Sequence, residues 1–175
     1  MAAAIFALAG TLLGVLGTLA VNLSQSRRED IRAHRDTVRL ACADFTAAIT
    51  RMRTLAMELR NNHPSSEQMK LMHEAHREAR VHYERLRLTA TSPSVQRAGR
   101  LVLRYAYGLL RQMEGKSLRD DEKASSPLRL LHDSLMTLYA EARRELRVPG
   151  ADDIYREPDE WVGEIDPDAW GTSAP

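Results

Sequence analysis

His73 and His76 lie one helical turn apart with Glu74 between them, and such a group could hold a metal ion. The spacing falls short of the zinc-protease pattern, in which two imidazoles stand four residues apart with a glutamate as general base. Here Arg77 occupies the position that the second imidazole would need. His82 is too far around a helix to complete a set of three or four ligands. None of the six histidines (His34, His63, His73, His76, His82, His132) follows a glutamate by three residues, so the Glu-x-x-His pair of di-iron bundles is missing too. Surface histidines with no metal are the expectation.

Gly115-Lys116-Ser117 resembles the end of a phosphate-binding loop. Leu110 stands where the motif's earlier glycine belongs, and a helical pattern precedes it where a strand should. Cys42, the single cysteine, falls in an apolar stripe and reads as a buried, inert thiol. Met57, Met69, Met72, Met113 and Met136 read as core filling. No catalytic residue, metal site or cofactor emerges, so the reading is non-enzymatic.

Arginine is the more informative residue type, with 22 against three lysines. Residues 77–111 carry eight arginines against two glutamates. Within them Arg97, Arg100, Arg104 and Arg111 repeat at spacings of 3, 4 and 7, so they share one helical face, with Tyr107 near it. Such a basic face could contact phosphates of nucleic acid or of anionic lipid. The competing reading is a solvated face in an arginine-rich chain, and no base-reading motif is present.

The elements that must position these residues are helical throughout, with no strand alternation after residue 24. The first apolar stripe is Val38, Ala41, Cys42, Phe45, Ala48, Ile49, Met52, Leu55, Ala56 and Leu59, ending where Asn61 to Pro64 stops the helix. Ser65 and Gln68 have capping-box spacing and start a second helix with Met69, Met72, Ala75, Ala79, Tyr83 and Leu86 inward. Ser92-Pro93 starts a third, burying Val95, Ala98, Leu101, Val102, Tyr105, Leu109 and Met113. Gly115 to Ala124 reads as a polar loop. Ser126-Pro127 opens a fourth helix with Leu128, Leu131, Leu135, Leu138, Ala142 and Leu146 inward. Short connections favour antiparallel neighbours, so residues 24–148 are expected to form an up-down helical bundle, and the fold class is all-α.

Residues 1–23 have a different character. No charged side chain occurs from Ala2 to Val21, and Ala2 to Leu23 as a helix would span about 33 Å, enough to cross a bilayer. No basic segment precedes the apolar run, and it is too long for a signal-peptide core, so an uncleaved transmembrane anchor is expected. Arg27, Arg28, Arg32, Arg35 and Arg39 follow it directly, which places the N-terminus outside and the following domain in the cytoplasm. Ala3, Ala7, Gly10, Gly14 and Gly17 line one face at spacings of 4, 3, 4 and 3, as lipid-immersed helices do when they self-associate.

Residues 149–175 form an acidic tail with eight carboxylates, one arginine and four prolines, so its charge is −7 within a chain of net charge +1. It holds both tryptophans, Trp161 and Trp170. The aromatics could supply apolar contact and the acids steering, as a docking segment for a protein partner or for the chain's own basic helices.

The Gly10-Thr11-Leu12-Leu13-Gly14 stretch followed by the arginines from Arg27 to Arg39 is similar to small actinobacterial single-pass membrane proteins. These include the KilB-type proteins associated with plasmid spread. The resemblance covers the first third of the chain, excludes the acidic tail and carries over no active-site residue. It implies a membrane location and, as the alternative function, a tethered nucleic-acid-associated protein aiding plasmid transfer. The leading expectation is a membrane-anchored helical interaction or assembly module that self-associates, contacts the bilayer and binds an as yet unidentified protein partner.

Overall fold

The structure is a computed structural model that describes residues 2–59 and 64–149, with side chains from residue 21 onward in those ranges. The described residues form five helices: α1 (Ala2–Glu58), α2 (Ser66–Thr89), α3 (Pro93–Met113), α4 (Asp120–Ala124) and α5 (Pro127–Glu145). No strand occurs among the described residues. The chain divides into two compact units, Met1–Thr37 and Val38–Pro175. By composition the division falls after residue 23. By packing it falls at Val38, the first fully buried residue among the described side chains of α1.

In the first unit, Val21, Leu23 and Ile31 are exposed apolar side chains. Among the described residues no helix is long and apolar enough to cross a membrane. The side chains of the expected span up to residue 20, and with them the stripe Ala3, Ala7, Gly10, Gly14 and Gly17, lie outside the described residues. So do Trp161 and Trp170.

The second unit is a helical bundle built on the apolar stripes. Phe45, Ile49 and Met52 of α1, Met72 and Leu86 of α2, Val102 and Leu109 of α3, and Leu131 and Leu138 of α5 are fully buried in one core. Side-chain pairings join the neighbouring helices. Arg51 meets Glu78 and Asp44 meets Arg85 between α1 and α2, with the Phe45 and Tyr83 rings 5.9 Å apart. His73 meets Glu114 between α2 and α3. The N–H and hydroxyl of Thr91, just before α3, donate to Glu145 Oε1 at the end of α5, at 2.7 and 2.9 Å. The most extensive seam joins α3 and α5.

The start signals act largely as read. Ser65 and Gln68 form a reciprocal capping box, with the Ser65 N–H donating to Gln68 Oε1 at 2.8 Å and the Gln68 N–H to Ser65 Oγ at 3.2 Å. Ser126 Oγ accepts from the Arg129 N–H. Ser92 differs: its hydroxyl pairs with Ser94 Oγ and leaves the cap to backbone, while Pro93 pre-sets the first turn.

Three expectations are corrected. The segment read as a polar loop contains α4, because Glu122 turns inward and its Oε2 accepts the Arg119 N–H at 2.9 Å. Its carboxylate is buried against Gly108, where a Cβ would sit 2.6 Å from Oε1, so a side chain there would require the carboxylate to shift. Leu101 is 40% exposed; Ala106 and Leu110 are buried instead, because α3 packs on both α2 and α5 and its inward arc is wider than one stripe. Met57 is 38% exposed and fills no core.

Candidate functional site: an arginine-lined groove between α2 and α3

The α2–α3 seam is tied at one end by the turn itself. Gln96 Nε2 donates to Ala90 O at 2.8 Å and to Arg87 O at 3.3 Å, and the Tyr83 hydroxyl reaches Gln96 O at 3.5 Å. One level up, the Tyr83 ring and Leu86 lie against Gly99, where a Cβ would stand 3.2 Å from the ring. The small residue lets the two helices approach. Further along, the His76 and Tyr107 rings are 5.5 Å apart.

Above this floor is an open groove of about 1160 Å³. It is lined by Arg80 and Arg87 of α2, by Arg97, Arg100 and Arg104 of α3, and by Arg119 from the connection before α4. Glu84 is the one acid in the lining. Three of the six guanidiniums have carboxylates: Arg104 with Asp121 at 2.7 Å, Arg87 with Glu84 at 3.2 Å, and Arg119 with Glu122 at 3.9 Å. Arg80, Arg97 and Arg100 have no acidic partner among the described residues. The Arg97 Nε–H donates only to Pro93 O, at 3.3 Å. Since Tyr83 faces Gly99 and His76 faces Tyr107, Arg80 stands at a level between those pairs, beyond Arg100. The uncompensated charges therefore occupy successive levels along the groove.

Of the four arginines read as one basic face, the structure brings Arg97, Arg100 and Arg104 into the groove, with Tyr107 beside them. Arg111 is turned away and donates to the Ser117 carbonyl. Arg80, Arg87 and Arg119 were missed as members of this surface. The excess of arginine over residues 77–111 was the available signal for the first two, and nothing in the local pattern marks Arg119.

The two histidines diverge. The His73 Nε2 pairs with Glu114 at 3.0 Å, whereas His76 packs at a tilt against Tyr107 with its Nε2 buried and lacking a hydrogen bond. Burial, then the neighbouring His73 and Arg80 charges, hold the His76 pKa below its ordinary value. Burial alone would raise Glu114, but the hydrogen bond and charge of Lys116, 2.9 Å away, together with His73, outweigh it and hold the carboxyl low. No group of three or more His, Cys, Asp or Glu is placed to hold a metal among the described residues. Cys42 is half-buried, and burial followed by the Glu145 charge pushes its thiol up to about 11, which makes it a poor nucleophile at neutral pH.

What this arrangement can do is bind anions. Guanidinium forks donate paired hydrogen bonds to carboxylate or phosphate oxygens, and the adjacent Tyr107 ring offers a stacking surface. No family model, curated protein or solved structure matches the chain.

Proposed function

We propose that this chain is a non-enzymatic interaction module whose α2–α3 groove docks an acidic segment of a protein partner. In this reading residues 1–23 anchor it in a membrane with the N-terminus outside, and the helices form an up-down bundle on the cytoplasmic side. The charge-free run in residues 2–21 and the arginines after it support the anchor. Exposed Val21 and Leu23 at the end of that run agree with it.

The observation that carries the reading is the trio Arg80, Arg97 and Arg100, charged, successive and without carboxylates of their own among the described residues. A second reading, a tethered nucleic-acid-associated protein aiding plasmid transfer or spread, draws on the same groove. Three available guanidiniums fall well below the roughly 6–10 phosphate contacts of strongly salt-dependent duplex binders. A short acidic peptide matches that number better.

The test uses the full-length chain in zwitterionic-lipid nanodiscs, with the eight tail carboxylates changed to amides so that they cannot compete. Fluorescence anisotropy is read with a labelled Glu- and Trp-rich peptide and with a labelled DNA duplex. The peptide is expected to bind more tightly as salt falls, and to lose binding when Arg80, Arg97 and Arg100 are changed to Gln. No peptide binding, or duplex binding that is stronger and equally dependent on those arginines, overturns the acidic-partner reading.

A further inference from the structure

The groove has a candidate occupant within the same chain. We infer that the acidic residues 150–175 lie in the α2–α3 groove and occupy it until a partner displaces them. This rests on reading the groove as a docking surface for acidic peptide. Charge supplies the first argument, because the tail from Pro149 onward carries −7 and the groove holds three arginines without carboxylates among the described residues.

Position supplies the second. α5 ends beside the α2–α3 turn, where Thr91 donates twice to Glu145. The next residues are held there: the Val148 N–H donates to Arg143 O at 2.9 Å, and Arg143 donates to Pro149 O at 3.2 Å. Arg147 adopts a φ of 56° in that closure, a left-handed conformation that turns the chain sharply out of the helical path. Pro149 is thus held at the end of α5 whose Glu145 meets the α2–α3 turn, and Pro93, Gln96 and Arg97, just after that turn, line the groove.

Reach supplies the third. Pro93 to Tyr107 along α3 covers about 21 Å at ~1.5 Å per residue. The twelve residues from Pro149 to Trp161 extend to roughly 40 Å at ~3.3 Å each. Trp161 can therefore lie anywhere along the groove with slack to spare, and its ring can stack on an arginine or on Tyr107. A tether this short holds the tail at an effective concentration on the order of millimolar, so weak individual contacts suffice to keep the groove filled. A partner must then outcompete the tail, which makes the tail a built-in threshold on binding.

Both tryptophans lie in the tail, so intrinsic tryptophan fluorescence of the unmodified full chain reports on the tail alone. In dilute nanodiscs at low salt, the emission is expected to be shielded from acrylamide and to become accessible as salt is raised. Each exposed ion pair is a factor of roughly two to five, so changing Arg80, Arg97 and Arg100 to Gln should lower the ratio of docked to released tail on the order of tenfold. Changing the same three to Lys should restore shielding in large part, and circular dichroism checks that the helices persist in both variants. The inference is overturned if quenching is the same in the wild type and the Gln variant. It is equally overturned if shielding fades on dilution, which would place the tail on a neighbouring copy. Peptide binding to the amide-tailed chain without any change in tryptophan shielding sinks this inference alone; absent peptide binding sinks the groove reading beneath it.

Discussion

Between α1 and α2 the arginines that cross from one helix to the other end on carboxylates: Arg51 on Glu78 at 2.6 Å and Arg85 on Asp44 at 3.0 Å. Between α2 and α3, Arg80, Arg97 and Arg100 face a shared groove and meet no acid among the described residues. The two seams share α2, an apolar floor that includes Tyr83, and the same arginine-rich composition. A compositional preference for arginine would leave similar charge patterns on both. The arginines that cross the first seam are paired with carboxylates, whereas three of the six that line the second have none among the described residues.

The largest effect should come from the floor of the first seam. Phe45 is fully buried and packs against Tyr83, so Phe45→Ala is expected to cost about 3–5 kcal/mol in reversible unfolding followed by circular dichroism. A cost under about 1 kcal/mol would mean that the α1–α2 seam is not a packed core, and the comparison between seams would lose its reference.

A smaller effect separates the charges themselves. Arg85→Gln removes one partner of a half-exposed pair and should destabilise by about 0.2–1 kcal/mol. Arg100→Gln removes a charge with no acid beside it and should leave stability within about 0.5 kcal/mol, with any shift towards greater stability as mutual repulsion is relieved. Equal losses from both would show that Arg100 has a structural partner and would close the argument for a docking surface. Measuring the pair at low and high salt sharpens the contrast, because the Arg85 loss should shrink as salt screens the pair.

How far the residues foretold this difference depends on the distance over which the information is local. The stripe from Val38 to Leu59 places its residues inward because a helix of fixed pitch keeps them on one face, and only Cys42 and Leu55 are less than fully buried. The Ser65–Gln68 box is local in the same way, and it formed. The register of Arg97, Arg100 and Arg104 was legible on α3 alone. Their setting was not: Arg80, Arg87 and Arg119 reach the groove from other elements, and Asp121 neutralises Arg104 from α4. Pairing of that kind depends on which helices become neighbours and at what level, and the helical period within one segment contains no such information. α4 escaped notice for a related reason. Five residues show no period, and the burial of Glu122 depends on the space above Gly108 of another helix.

The smallest expected effect lies at the far end of the second seam, where the His76 ring packs at a tilt against Tyr107. Its pKa is held below 6.5 by burial and by the charges of His73 and Arg80. In the unfolded chain the imidazole takes up its proton near 6.5, before the folded chain does, so the unfolded state binds more protons in the interval below that value. Folding stability is therefore whole above 6.5, declines as the pH falls through it, and stops declining once the folded imidazole has also titrated. His76→Phe keeps a ring against Tyr107 while removing both the proton uptake and the buried Nε2 that has no hydrogen bond. The variant should match or exceed the wild type at pH 7, and its margin should widen towards pH 5. The two proteins differ at this position alone, so the difference between their stability profiles isolates this residue. Parallel profiles between pH 7 and pH 5 would place His76 in water, and the α2–α3 seam would then be open along its length instead of closed at its far end.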